Sequence, residues 1–436
     1  MPGSLKPDRL IRRALRPGPD RPLANRDFRL LFAGRTVSLL GDGAFLVAVA
    51  WQAYTLSNTP TALSLIGIAM TLPLIMLLLF GGVASDRYDR RRVMLWTDAA
   101  RAVLLALLAL LAATGSLRLW HMMAIVALYG GAQAFFDPAS DAILPEILPA
   151  SQLGEANALE QAVRPLVLRL AGPALGGVLI GLLGLGAAFF VDALTFVISA
   201  ATLWWMSPRA SVKATLARDA VDASVARQVR DGWSYVRRHV WLWGTFASAG
   251  IAYLFFMGPA AVLLPFMVKH ELGGSGFQLG LVLGAGGLGA VGCALVMTRS
   301  GLPSRSMTFI YVVWTLATIA VAGYGVATAV WQLMLASLAF NLLETAGTIV
   351  WATIKQQRVP GDLLGRVSSL DWLISIGLLP LSFALAAPLA ATLGARTTLI
   401  CAGLAGAAAT LGGLMLPGMQ DADLSVAPRA HTGVQI

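Results

Sequence analysis

Twelve apolar stretches, each cut off by charged or turn residues, run through this sequence. They fall near 29–56, 62–84, 93–113, 119–143, 157–183 and 187–206. After a polar interval they resume near 240–268, 277–298, 307–326, 330–354, 367–393 and 396–416. A spanning helix needs about 20 apolar residues, because the hydrocarbon core is about 30 Å thick and a helix rises about 1.5 Å per residue. Composition agrees: of 436 residues only 12% are charged, about half the share in an average soluble protein. Such a chain cannot cover a water-facing surface and must present apolar side chains to lipid. The expected fold is an all-α membrane protein with twelve transmembrane helices in two six-helix bundles. Arg164 and Arg169 interrupt the fifth stretch.

The net charge of +10 raises nucleic-acid binding, and the placement of the basic residues answers it. Of 32 Lys and Arg, three (Arg118, Lys269, Arg396) lie on one side and four (Arg35, Arg101, Arg164, Arg169) lie within stretches. The other 25 fall on the side that holds both termini. Lys and Arg collect in cytoplasmic loops, so both termini are expected inside, and the charge reports orientation rather than nucleic acid. The expected divisions are a basic cytoplasmic N-terminal segment (1–28), bundles over 29–206 and 240–416, a cytoplasmic linker (207–239) and a cytoplasmic tail (417–436). The first segment has no apolar h-region, so it is not read as a cleaved signal. The basic linker can lie on anionic headgroups.

Several chemistries are excluded. No Gly-Lys dipeptide occurs, so there is no phosphate-cradling G-x-x-x-x-G-K-[ST] loop and no ATP-driven pump on this chain alone. Cys293 and Cys401 lie in apolar runs, and His121, His239, His270 and His431 are scattered. No metal site, cofactor or enzyme motif is expected.

Ionisable groups inside spans are functional candidates, since each costs about 2.5–3.5 kcal/mol to insert. Asp42 lies 13 residues past Arg29, about 20 Å deep, and two turns from Arg35. Glu344 lies 14 residues past Val330, at a similar depth. These two are the proton-coupling candidates. Arg169, Arg35, Trp51, Tyr54, Tyr129, Phe135 and Asn341 are the candidates for lining a substrate cavity. Asp98 and Arg101 read as a structural i, i+3 pair near the inner surface. Asp137, Asp141, Asp192 and Asp371, nearer span ends, read as structural or gating groups.

Two motifs stand out. Between the second and third spans runs Gly82-Val-Ala-Ser-Asp86-Arg87-Tyr-Asp89-Arg90-Arg91-Arg92. In it Gly82 is expected to admit a close helix and the arginines to form a charge network at the inner face. In the fifth span Gly172, Pro173, Gly176 and Gly177 read as a kink, because Pro removes a backbone donor and Gly admits a neighbouring backbone. The halves also echo one another, with Pro149, Leu153 and Gly154 matched by Pro360, Leu364 and Gly365 at a constant offset of 211.

The loop motif resembles the cytoplasmic signature of the major facilitator superfamily, G-x-x-x-D-R-x-G-R-R, with Asp89 in place of the second glycine. That resemblance implies that Asp86, Arg87, Arg90 and Arg91 gate by reaching span eleven, near Arg366–Asp371. The span-five fragment resembles the end of that superfamily's antiporter signature. The stretches Ser38-Leu-Leu-Gly41-Asp42, Phe136-Asp137-Pro138-Ala139, Ala156-Asn157-Ala-Leu and Val191-Asp192-Ala resemble its enterobactin-exporter and macrolide-efflux branch. The resemblance implies the major facilitator fold in the plasma (inner) membrane. It also implies secondary active efflux of a small organic molecule, such as a drug, siderophore or secondary metabolite, driven by protons, by a monomer. The fourth span has no arginine, so the R-x-x-x-G element of many drug–proton antiporters is missing. A proton-coupled importer or uniporter shares the architecture, and a non-transporting sensor or scaffold is the alternative of another class. Topology has a direct check. Cysteines placed at Ser57 and Ser116 should label from outside the cell, and those at Ser211 and Ser304 only from inside; reversed labelling at two sites defeats the expected orientation.

Overall fold

The computed structural model describes residues 21–207, 225–297, 303–420 and Asp423. Most of the basic N-terminal segment, linker residues 208–224, the second-half loop at Thr298 and Arg299, and nearly all of the tail lie outside it. Among the described residues there is no strand, and twelve helices are long and apolar enough to cross a membrane. The first six are α1 (Arg26–Leu56), α2 (Pro60–Arg87), α3 (Arg90–Ala113), α4 (Leu119–Ile147), α5 (Ser151–Leu183) and α6 (Leu185–Trp205). The second six are α7 (Val240–Glu271), α8 (Gly276–Met297), α9 (Ser306–Val326), α10 (Val330–Arg358), α11 (Arg366–Leu393) and α12 (Ala395–Leu414). An additional linker helix, Val225–Arg238, packs through Val236 against the second half.

Local chemistry sets the helix ends. Asn25 caps α1, its side chain accepting from the backbone N–H of Asp27 at 2.9 Å and of Phe28 at 3.1 Å, which satisfies two otherwise unpaired donors. Gly184 and Gly394 turn α5 into α6 and α11 into α12 with φ of 84° and 82°, a region where side chains are strained. These two turns lie within one residue of the 211 offset between the halves.

The fifth and eleventh spans are both broken. In α5 the backbone is π-helical over Pro165–Ala171. In α11 the helix Gly361–Gly377 gives way to Leu379–Leu393. Proline explains both, since Pro173 offers no N–H to the Arg169 carbonyl and Pro380 none to that of Ile376. The sequence assigned the α5 kink to Pro173 alone, whereas the distortion begins at Pro165.

Within each half, glycines seat neighbouring backbones in contact. A Cβ on Gly81 would stand 1.9 Å from the Ala134 carbonyl, and one on Gly130 2.0 Å from that of Met70, so α2 and α4 lock from both sides. In the second half Gly289 of α8 holds the same relation to Leu338 of α10, at 2.3 Å.

Between the halves, contact is concentrated away from the termini. Gly177 of α5 meets Gly280 of α8, and Gly67 of α2 meets Phe383 of α11. The Tyr54 hydroxyl donates to the Val262 carbonyl at 2.6 Å, and Lys269 Nζ donates to the Tyr54 carbonyl at 2.5 Å, tying the ends of α1 and α7. Toward the terminal face the packing thins. A Cβ on Gly82 or Gly154 would meet nothing within 4 Å, and the Asp141 side chain is 80% exposed. The halves thus enclose a cleft closed at the far face and open toward the face bearing the chain ends.

Gly82 therefore does not admit a close helix in this conformation; Gly81 does. The two environments can be separated by mutation. Gly130→Val should lower the melting midpoint of the purified protein, since overpacking costs about 1–3 kcal/mol. Gly82→Ala should leave it unchanged or raise it, as alanine is the better helix former by up to about 1 kcal/mol.

Candidate functional site

Midway along α1, Asp42 is half-buried and its Oδ1 accepts a hydrogen bond from the Tyr129 hydroxyl of α4. Tyr129 is itself fixed by rings, stacked on Phe45 at 5.0 Å and edge-on to Phe196 at 6.0 Å. Beside this pair Arg101 of α3 donates to Asp98 Oδ1 at 2.5 Å, and Asp98 Oδ2 accepts from Ser199 of α6 at 2.6 Å. The guanidinium lies between Phe136 and Phe196, at 4.3 and 4.4 Å from their ring centres. That arrangement adds cation–π attraction in a dry setting. The Asp98–Arg101 pair is formed, with both residues buried within the bundle. Asp192 of α6, which sequence reasoning placed near the far end, lies against Gly41 and is fully buried.

Arg35 and Asp42 share a helix but not a contact. Arg35, two turns earlier, bonds Glu160 of α5 at 3.2 Å and approaches Asp141 of α4 at 3.9 Å. It is only 12% exposed and so braces the terminal end of the first half. The cation within electrostatic reach of Asp42 is Arg101. A signal for this was present: the stretches 38–42, 136–139 and 191–193 converge on the cluster. Their shared location, unlike their separate positions in the chain, was not readable from one sequence.

The second feature spans the cleft. Arg169 sits in the π-helical turn of α5, and its guanidinium contacts Glu344 Oε2 of α10 at 3.4 Å, joining the two halves. The other Glu344 oxygen accepts from Thr348 at 3.0 Å, and Trp314 Nε1 donates to the Glu344 carbonyl at 3.4 Å. Behind Arg169, its proline-freed carbonyl faces Gly287 of α8, where a Cβ would come within 2.1 Å. The arginine thus stands where α5 and α8 touch backbone to backbone. One turn before Glu344, Asn341 bonds the Ser337 carbonyl at 2.9 Å and lies against Gly286.

The other candidates scatter. Tyr54 is fully buried and Trp51 packs beneath Lys269, whose Nζ is 5.2 Å from its ring centre. Both belong to the closed far end rather than to the open cleft. Tyr129 is 3% exposed and serves Asp42 instead of lining a cavity. Phe135 is half-buried on α4 beside Gly81.

In the loop motif, the side chain of Asp86 lies outside the described residues and Arg87 is exposed. Arg90 donates to the Ala142 carbonyl at 2.7 Å and to Glu146 at 2.8 Å. Arg91 donates to the Leu203 and Trp204 carbonyls, both at 2.6 Å, closing the end of α6. Both arginines therefore brace their own half. Asp371, the expected far anchor, instead accepts from Lys355 at 2.5 Å and Trp351 at 3.0 Å. Asp89 caps α3 by accepting from Arg92 N–H at 3.2 Å, which gives the departure from glycine a physical role. In the kink motif Gly172 and Gly176 face α1 at Gly43 and Ala44, Gly177 faces α8, and Pro173 is buried.

A family model described as transmembrane secretion effector matches residues 18–434. The chain belongs to that family, within the major facilitator superfamily. It is similar to the multidrug efflux pump Tap of Mycolicibacterium fortuitum, 29% identical over 92% of this chain and 97% of that one. It is also similar to macrolide efflux protein A of Streptococcus pyogenes, 24% identical over 86% and 92% of the two chains. Among solved structures it resembles a bacterial homologue of the iron transporter ferroportin in an inward-facing state, with TM-score 0.63, 17% identity and coverage of 90% and 100%. The nucleoside transporter NupG follows with TM-score 0.60, 12% identity and coverage of 92% and 98%. The secretion effector chain is a multi-pass plasma-membrane transporter of small molecules, and not an enzyme.

The buried pair gives a stability test. Arg101→Met strands Asp98 without a cation, a change that costs about 3–5 kcal/mol in buried pairs. Membrane abundance and melting midpoint should both fall, while Asp141→Asn, at an exposed carboxylate, should leave both near the parent values.

Proposed function

We propose that this transporter exports a small organic molecule by alternating access, driven by the inward proton gradient. Asp42 carries the proton, and Arg169 and Glu344 contact substrate across the cleft. The observation that carries this reading is a carboxylate midway along α1 that accepts from the Tyr129 hydroxyl and, among the described residues, pairs with no Lys or Arg. A coupling group must be charged in one state and neutral in another, and such a carboxylate meets that need. The efflux direction draws on the relatives, whose names are those of a macrolide and a multidrug efflux pump. In the proposed orientation the termini, linker and tail face the cytoplasm, so the cleft opens inward to load substrate. The protein works as a monomer, with lipid around it and no nucleic-acid partner.

The energy suffices. One charge moved through 100 mV yields about 2.3 kcal/mol, enough for a concentration ratio near fiftyfold at about 1.4 kcal/mol per decade. Cells overexpressing the gene should accumulate less of a macrolide probe than cells without it. Asp42→Asn should keep membrane abundance and downhill exchange of that probe but lose uphill efflux. Uphill efflux by Asp42→Asn that a protonophore still collapses removes Asp42 as the carrier and makes Glu344→Gln the next variant. Proton-driven uptake in place of efflux makes the chain an importer.

A further inference from the structure

Asp192 takes no part in the proposed mechanism so far, and its surroundings suit more than the structural or gating reading its position in the sequence suggests. It is fully buried, its Oδ1 accepts from Thr195 at 3.2 Å, and its Oδ2 has no partner. The α1 helix is cut away to make room for it. A Cβ on Gly41 would stand 2.1 Å from Asp192 Oδ1 and 2.2 Å from Thr195 Oγ1. The next residue of α1 is Asp42, within electrostatic reach of Asp192.

The charges around Asp192 can be counted element by element. From α1 comes Asp42, from α3 Asp98 and Arg101, and from α4 Tyr129, with Asp137 further along the same helix acting on Asp42. The facing part of α5, Gly172–Leu183, carries no ionisable residue, and Asp192 is the one ionisable residue of α6. Arg101 is the cation of this set, and it is committed to Asp98, which Ser199 also serves. Among the described residues no Lys or Arg nitrogen lies within 4.0 Å of Asp42 or Asp192. Two carboxylates without a bound cation in an apolar bundle cannot both stay charged, because each is desolvated and each repels the other. A proton on Asp192 turns its orphaned Oδ2 into a donor.

We infer that Asp192 is the second carboxylate of the proton site, so that Asp42 and Asp192 hold one proton between them and release it as a unit. This rests on the proton-coupled reading of Asp42. In the step, one carboxyl O–H bond breaks, the proton passes to water, and the pair goes from one negative charge to two. Entry of water on one side of the membrane supplies the solvation that the doubly charged state needs. Asp42 exchanges the proton, and Asp192 sets how firmly it is held.

The test uses the full-length purified protein and needs no substrate. Infrared titration follows the protonated-carboxyl band with pH in the parent protein, Asp192→Asn and Asp42→Asn. The parent band should persist to pH well above the ordinary carboxylate range. Asp192→Asn should shift its midpoint toward acid by about one unit or more, since the like charge is gone. Asp42→Asn should shift it too. A midpoint unmoved by Asp192→Asn but abolished by Asp42→Asn overturns the pairing and leaves Asp42 alone as the site. A band that ignores Asp42→Asn overturns the pairing and the Asp42 reading together. Should Asp192→Asn not fold, Thr195→Val removes the hydroxyl that favours the charged form and should move the midpoint toward alkali. No movement in that variant sinks the inference.

Discussion

A charge in hydrocarbon must be paired, neutralised or avoided, and that constraint organises this transporter more than any single helix contact. Insertion of one such group costs about 2.5–3.5 kcal/mol, so a bundle that keeps several has to bring opposite signs together. Arg101 finds Asp98, Arg35 finds Glu160, Lys355 finds Asp371, and Arg169 finds Glu344. Each of the first three pairs lies within a single half, two in the first and one in the second, and fixes that half's internal geometry. The fourth crosses the cleft. Helix order, glycine seams and the broken spans all serve to place these partners.

The glycine seams explain how such placement is possible. Ordinary side chains hold helix axes about 8–10 Å apart, and lipid gives helices no hydrophobic reason to associate, so close backbone contact carries much of the cohesion. Gly81 and Gly130 pin α2 to α4, and Gly177 with Gly280 pins α5 to α8 across the halves. The first seam binds two helices of one bundle and has no reason to open. The second joins the bundles, and small residues on both sides let it slide or tilt without a large loss of interlocked side chains.

The sequence made the architecture legible because its signals are long and redundant: apolar length in twelve stretches and repeated halves. Asp42, Arg169 and Glu344 were legible for a related reason, since a charge deep in a span is conspicuous without any contact being known. Partners were not legible. Arg35 is nearer than Arg101 to Asp42 in the chain, yet helix α1 points the two residues to different neighbours. The surroundings of Asp192 were hidden likewise, because counting from the end of α6 measures depth but says nothing of Gly41 across the helix pair. Tyr54 and Trp51 misled for a third reason. Aromatic residues suit a cavity wall and a gate equally well, and only the packing of α1 on α7 decides between them.

Burial separates the ion pairs by what they can do. Asp98 and Arg101 are sealed, with side-chain exposures of 0% and 4%, so breaking them leaves an uncompensated charge at about 3–5 kcal/mol. Arg169 is 48% exposed in the cleft and meets Glu344 at 3.4 Å, a long contact that water can reach. Solvent screening at the exposed Arg169 end weakens the pair, which leaves room for a bound solute to replace either partner. In the proposed alternating-access cycle a contact lining the cleft has to give way to substrate, and a weak one does so at little cost. The weak pair therefore belongs where the bundles separate, and the strong pair where they must not.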